Sequence, residues 1–132
     1  MSDPCICIAV RKASRKLTAR YDAALEPVGI NLAQFSLLRN ISRHEPVSLT
    51  RLAEIVELDR STLGRNVRVL QRMGLVTIMP GEDLREATLS LTEAGQQVLE
   101  RAVPIWEGTQ DEIHQRLGVA GAAQLEALLG SL

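Results

Sequence analysis

The chain has 132 residues, of which 45% are hydrophobic and 23% charged, so it fits one globular domain. Its three aromatic residues are too few to bind single-stranded nucleic acid by stacking on the bases. The formal net charge is −1, but residues 1–72 carry 12 Lys and Arg against 7 Asp and Glu, whereas residues 73–132 carry 3 against 9. A local basic surface attracts phosphate even on a nearly neutral chain, so the overall charge does not exclude a nucleic-acid partner.

The N-terminal segment predicts a cytoplasmic protein and a first helix. The apolar run from Cys5 to Val10 is too short to cross a bilayer, and no basic leader precedes it. A helix is predicted from Cys7 to Leu25, and Pro27 and Gly29 end it. Its apolar face recurs at steps of three and four residues, at Val10, Ala13, Leu17, Tyr21 and Ala24.

Two further helices begin at polar caps. Asn31 is a good N-cap, and Gln34 stands three residues later in the capping-box position, so a second helix is predicted as far as Arg43. Ser48 caps a short third helix. The residues expected on its buried side are Leu49, Leu52, Ala53 and Val56.

The fourth helix, predicted from Arg60 to Met73, has two chemically different faces. Asp59 caps it, and Gly74 ends it in the position where a left-handed residue is favoured. On a helical wheel the buried face is Leu63, Val67 and Leu70, and the opposite face is Ser61, Arg65, Arg68 and Arg72. Arginines on one face suit phosphates and guanine edges, while Ser61 and Thr62 suit base edges or phosphates. The alternative is an ordinary solvated helix face.

A β-hairpin is predicted next, with strands at Leu75–Met79 and Ala87–Leu91. Asp83 and Arg85 fall at its tip. An exposed arginine can enter a minor groove, and an aspartate two residues away can hold its guanidinium by a charge-assisted hydrogen bond. The alternative is a surface hairpin with a local ion pair, which stabilises little.

The C-terminal third is predicted to be helical from the cap at Thr92. Pro104 removes a backbone hydrogen bond, so a kink or a break is expected there. Gly118 and Gly121 are expected to interrupt the helix before a last short one. Neither terminal segment has enough apolar partners within one chain.

The spacing of these signals resembles the MarR family of bacterial transcription regulators. The likeness rests on Leu52-Ala53, on residues 61–65, on residues 74–76, and on D-x-R at 83–85 followed by L-T-x-x-G at 91–95. It implies a mainly α-helical winged helix-turn-helix with a small β-hairpin wing, forming one domain over residues 1–132. Residues 30–91 would be the winged helix-turn-helix, and 1–29 and 92–132 the helices that intertwine in a homodimer.

The resemblance also implies a function, that of a sequence-specific regulator of transcription, expected to be a repressor. It would bind a pseudo-palindromic operator in double-stranded DNA and be released by a small aromatic molecule or an oxidant. The implied DNA-binding residues are Ser61, Thr62, Arg65, Arg68, Arg72, Asp83 and Arg85. The candidates to line an effector pocket are Tyr21, Phe35 and Trp106, for which plain core packing is the alternative. No cofactor and no membrane partner are indicated.

The pair Cys5 and Cys7 leaves three roles open, namely packing as small hydrophobes, redox sensing, or contribution to a metal site. No catalytic constellation stands out, and the two histidines lack a spacing suited to zinc, so neither an enzyme nor a histidine-based metal centre is expected. The rival function is a winged-helix interaction module that does not touch DNA.

Overall fold

The computed structural model of the protein describes residues 3–81 and 86–132. A short 3-10 turn at Glu26–Val28 separates the first two helices. In chain order the elements are α1 (Ile6–Leu25), α2 (Leu32–His44), β1 (Val47–Ser48), α3 (Leu49–Val56), α4 (Arg60–Arg72), β2 (Val76–Met79), β3 (Thr88–Leu91) and α5 (Glu93–Gly130). The predicted fold is confirmed, and the ends of α1, α2, α4, β2 and β3 differ by one residue from those predicted.

The predicted caps are present and explain where the helices begin. The backbone N–H of Gln34 donates to Asn31 Oδ1 over 2.9 Å, and the backbone N–H of Asn31 donates to Gln34 Oε1 over 3.0 Å. The Ser48 hydroxyl oxygen accepts from the Arg51 backbone N–H over 3.0 Å. Gly74 follows α4 with φ +78°, a left-handed conformation that glycine adopts without steric cost.

The strands form a three-stranded antiparallel sheet in the order β1-β3-β2. β2 pairs with β3 from Val76 opposite Leu91 to Met79 opposite Thr88, as the predicted hairpin requires. β1 was not predicted, because a two-residue strand has no periodicity of its own. It pairs with β3 through Val47 opposite Leu89. The Glu45 carboxylate accepts a hydrogen bond from the Leu91 backbone N–H over 2.8 Å, which fixes the end of α2 to the base of β3.

One hydrophobic core joins the helix-turn-helix, the sheet and the first part of α5. Its centre is made of large side chains that are fully buried, contributed by every helix from α1 to α4 and by the sheet. They include Leu25, Phe35, Leu38, Ile41, Leu52, Leu63, Leu70 and Leu89. Because α4 contributes to this core with one face only, its opposite face is held toward solvent in a fixed orientation.

α5 corrects one prediction and refines another. The break considered at Pro104 does not occur, because the backbone leaves helical dihedral angles only at Gly118 (φ 76°, ψ 161°), while a kink at Pro104 stays a prediction. One missing N–H is tolerated in a long helix anchored by the fully buried Ala102. Gly121 lies within the resumed helix rather than interrupting it. Over residues 3–81 and 86–132, no helix is both long and apolar enough to cross a membrane.

Candidate nucleic-acid interface

The two predicted faces of α4 are confirmed by burial. Leu63, Val67 and Leu70 are at most 1% exposed and pack into the core. The side chains of the opposite face are all exposed, namely Ser61, Arg65, Arg68 and Arg72. Thr62 lies at the edge between the two faces and is half-buried.

The arginines of α4 have no carboxylate partner in the part of the chain that the structure describes. An ion pair on α3 joins Arg51 to Glu54 instead, with 3.1 Å between Nη1 and Oε2. Within residues 3–81 and 86–132, Arg65, Arg68 and Arg72 therefore present positive charge on one helix face without a salt-bridge partner. Such a surface attracts a phosphate backbone more strongly than one whose cations are already paired.

Asp59, immediately before α4, organises the polar start of the helix. Its Oδ2 accepts from the Ser61 hydroxyl over 2.5 Å and from the Thr62 backbone N–H over 3.0 Å. Its Oδ1 accepts from the Thr62 hydroxyl over 2.6 Å. These bonds, with that from Ser61 the largest cause, hold the pKa of Asp59 well below its usual range. The sequence predicted Asp59 as a helix cap, but its hold on both hydroxyls was missed.

The same network reaches the first arginine of the exposed face. Arg65 Nη2 donates to Thr62 Oγ1 over 3.4 Å, so Thr62 bridges the Asp59 carboxylate and the Arg65 guanidinium. A long and flexible side chain is thereby restrained near the N-terminal end of α4. The pattern D-x-S-T-x-x-R in residues 59–65 could have indicated this chain of contacts, since i, i+3 residues are neighbours on a helix.

Gly64 leaves an opening on the flank of α4. A Cβ built there meets no atom within 4 Å, so packing within the chain does not require glycine at this position. Beside it, a cleft of about 630 Å³ lies between the exposed side of α4 and the sheet, and its lining includes Gly64, Val67, Ile78 and Leu89. The flank is therefore open enough for another molecule to come close to the helix backbone.

The wing is described at its base. β2 packs against α4, which brings the hairpin next to the arginine face. Asp83 and Arg85, predicted to lie at the hairpin tip, are outside the described residues.

Two aromatic rings and one arginine side chain form a cluster where α2 meets α5. The rings of Phe35 and Trp106 stack with their centroids 5.7 Å apart, and the Arg39 guanidinium lies 4.7 Å from the Trp106 centroid. Burial, and then the nearby charge of Arg43, lower the pKa of Arg39. Arg39 Nε is buried and has no hydrogen-bond partner within the described residues. The sequence did not predict Arg39, because its aromatic partner Trp106 is distant in the chain.

This cluster lines a cavity of about 240 Å³ that also includes Ser42, Arg43, Leu99, Val103 and Glu107. Two of the three predicted pocket residues, Phe35 and Trp106, are therefore brought together. Tyr21 is not among the lining residues. Tyr21 belongs to α1 and is buried, and its hydroxyl donates to the side chain of Gln110 on α5.

Cys5 and Cys7 lie at the N-terminal end of α1, and both are exposed as free thiols. Cys5 occupies the N-cap position but makes no side-chain capping bond. Neither thiol is buried within a single chain, so packing would need a second copy, and packing, redox sensing and metal binding all stay predictions. The described residues contain no group of three or more His, Cys, Asp or Glu side chains arranged to hold a metal ion.

The chain is similar to several transcription regulators. A model of the MarR family matches residues 28–86. The organic hydroperoxide resistance transcriptional regulator of Bacillus subtilis is 31% identical over 101 residues, which are 76% of this chain and 69% of that protein. The crystal structure of the M. tuberculosis transcriptional regulator MosR in complex with DNA is 37% identical, covers 97% of this chain and 95% of that one, and superposes with a TM-score of 0.84. The S. aureus MepR–DNA complex, at 20% identity, 98% and 100% coverage and a TM-score of 0.85, shares the fold.

Proposed function

This chain belongs to the MarR family of transcription regulators, and from that premise we propose that it binds double-stranded DNA sequence-specifically as a homodimer. One α4 would enter the major groove in each half of a pseudo-palindrome, with the two helices about one turn, roughly 34–36 Å, apart. The observation that carries the proposal is the exposed arginine face of α4, which has no carboxylate partner within the described residues.

A second copy of the chain is the proposed cover for the apolar ends. Ile6 on α1 is 76% exposed and Val119 on α5 is 92% exposed, although both lie in helices. Other exposed apolar side chains of the same two segments are Ile8, Val10, Leu17, Leu125, Leu128 and Leu129. Exposed apolar side chains in such number are typical of interaction sites, and a twofold dimer would bury the same residues on both subunits.

The proposed contacts divide between the two grooves. Ser61, Thr62, Arg65, Arg68 and Arg72 would meet bases or phosphates in and around the major groove. Arg85, braced by Asp83, would enter the minor groove. Both residues are outside the described part of the chain, so this minor-groove contact is supported by the sequence and the family resemblance alone.

The test begins with a duplex selected by the protein from a randomised pool. Its affinity is then measured by fluorescence anisotropy across a series of salt concentrations. Arg65→Ala and Arg85→Ala are each expected to weaken binding by about 1–3 kcal/mol. Arg68→Ala is expected to reduce the slope of log affinity against log salt by about 1, because one phosphate contact is lost.

The control is Arg101→Ala, which removes the same charge from an exposed position on a different helix, α5. It is expected to leave both the affinity and the salt slope nearly unchanged. If Arg65→Ala and Arg101→Ala behave alike, the α4 face does not read DNA, and the winged helix would be an interaction module instead.

Release of the DNA is proposed to pass through the contact between α2 and α5. Phe35 and Arg39 belong to the winged helix-turn-helix, residues 30–91, which we call the reading head, whereas Trp106 belongs to α5. A molecule bound among the three would therefore alter the orientation of the reading head relative to α5. An effector that favours a head spacing unsuited to the operator lowers DNA affinity by population shift. Arg39 and Arg43 favour an anionic aromatic effector.

An oxidant is the second proposed signal. The curated relative in Bacillus subtilis is named for resistance to organic hydroperoxides, and both thiols here are accessible at the start of α1. A thiolate of Cys5 or Cys7 would be oxidised by a hydroperoxide to a sulfenic acid, releasing an alcohol. The other thiol would then condense with it to a disulfide and water. The protein is proposed to act in the cytoplasm, as a repressor rather than as an enzyme.

A further inference from the structure

We infer that Asp59 sets the base preference of α4 by holding the hydroxyl proton of Ser61, so that Ser61 offers only acceptor lone pairs to the DNA. The consequence is selection for an amino group, that of adenine or cytosine, over a phosphate or a base carbonyl. This inference rests on the proposed function, because it concerns the polarity of a contact on the face proposed to read the major groove.

The proton assignment follows from the hydrogen bond itself. A serine hydroxyl has one proton to donate and two lone pairs to accept. An ionised carboxylate has no proton, so the 2.5 Å contact between Ser61 Oγ and Asp59 Oδ2 requires the serine to donate. The same bonds lower the pKa of Asp59, which keeps the carboxylate ionised at neutral pH. The exposed side of Ser61 Oγ is left with lone pairs alone.

Thr62 has a different role in this network. Its hydroxyl also donates to Asp59, over 2.6 Å, and in addition accepts from Arg65 Nη2. One of its lone pairs is thus already in use, and the side chain is half-buried. Thr62 is a positioning residue for Arg65, while Ser61, which is exposed, is the residue left to contact a base.

The polarity of Ser61 restricts what it can contact. In the major groove adenine N6 and cytosine N4 are donors, whereas guanine O6, guanine N7 and thymine O4 are acceptors, as are phosphate oxygens. An acceptor-only hydroxyl pairs with the first group. The Asp59 charge beside it also repels phosphate. The expectation that Ser61 serves bases and phosphates alike is therefore narrowed to bases that carry an amino group.

The decisive variant is Asp59→Gly, because glycine is well tolerated at a helix N-cap and has no side-chain acceptor. Without the carboxylate, the Ser61 hydroxyl can turn its proton toward the DNA. Binding sites are selected from a randomised duplex pool with wild type, Asp59→Gly, Ser61→Ala and the double variant. At one position, wild type is expected to prefer adenine or cytosine, and Asp59→Gly to shift about 5- to 10-fold toward guanine or thymine.

Ser61→Ala and the double variant are expected to lose the preference at that position and to match each other. If Asp59→Gly selects the same base as wild type, this inference is overturned and the proposed function is untouched. If wild type selects no sequence at all, the proposed function falls and the inference falls with it.

A second measurement does not depend on the folding of Asp59→Gly. The selected duplex is prepared with purine in place of that adenine, or 2-pyrimidinone in place of that cytosine, so that the amino group is lost together with its Watson–Crick hydrogen bond. Ser61→Ala measures the effect of the lost base-pairing bond alone. Wild type is expected to bind this duplex about 5- to 10-fold more weakly, and Ser61→Ala to bind both duplexes equally. Equal binding of both duplexes by wild type would contradict the inference.

Discussion

The Cα of Gly95 packs directly against the backbone carbonyl of Leu75. A Cβ built on Gly95 would lie 2.0 Å from Leu75 O, an oxygen that also accepts the Thr92 backbone N–H over 3.0 Å. Thr92 Oγ1 caps α5 by accepting from Gly95 N–H over 2.9 Å and donates to Gly74 O over 2.6 Å. The L-T-x-x-G pattern therefore encodes a close joint between α5 and the start of the wing, which glycine alone permits.

Gly95→Ala is expected to lower the free energy of unfolding by about 1–3 kcal/mol, because backbone atoms, rather than a flexible side chain, must move to admit the methyl group. Urea denaturation at one fixed protein concentration measures this, since the stability of a dimer depends on concentration. Gly64→Ala is the matched control, because a Cβ built at residue 64 lies within 4 Å of no atom of the described residues. Equal stability of the two variants would refute the close-packing account.

Gly64→Ala is itself expected to have opposite effects on folding and binding. Alanine stabilises a helix interior by about 1 kcal/mol relative to glycine, and no atom of the described residues opposes the added methyl group. If DNA approaches α4 along this open flank, the added methyl group weakens operator affinity even though the protein is more stable. A variant with raised stability and wild-type affinity would place the DNA away from the flank.

The sequence predicted those parts of the site that depend on local pattern. The caps at Asn31 and Asp59, and the two faces of α4, follow from spacing within one helix. The contacts it missed join residues that are distant in the chain. Arg39 meets Trp106 across α2 and α5, and β1 exists only because β3 pairs with it. The donor and acceptor roles at Ser61 were missed for another reason, since spacing carries no information on where a proton lies.

The cavity between α2 and α5 is expected to distinguish charged from neutral aromatic ligands. Benzoate should change the fluorescence of Trp106, the only tryptophan, in a saturable way, because its carboxylate can pair with the Arg39 guanidinium. Benzamide has nearly the same shape without the charge and should bind at least tenfold more weakly. Arg39→Gln should abolish the difference between the two, and persistence of that difference would exclude Arg39 as the anion site.

The thiols at the start of α1 are expected to make DNA binding sensitive to hydroperoxide. Treatment with cumene hydroperoxide should weaken operator binding by the wild type, and a reductant should restore it. The variant carrying both Cys5→Ser and Cys7→Ser should bind DNA like the untreated wild type and keep its affinity after treatment. An identical loss of binding in that variant would assign the response to other residues.

The hydrogen bond from Leu91 N–H to the Glu45 carboxylate couples the position of α2 to that of the β-hairpin. It clamps the end of α2 to the strand that carries the wing, while β1 joins the same strand from the neighbouring position. A rotation of α2 that starts at Arg39 is then expected to carry the hairpin along with it. In the proposed DNA complex, the major-groove contacts of α4 and the minor-groove contact of the wing would therefore be lost together.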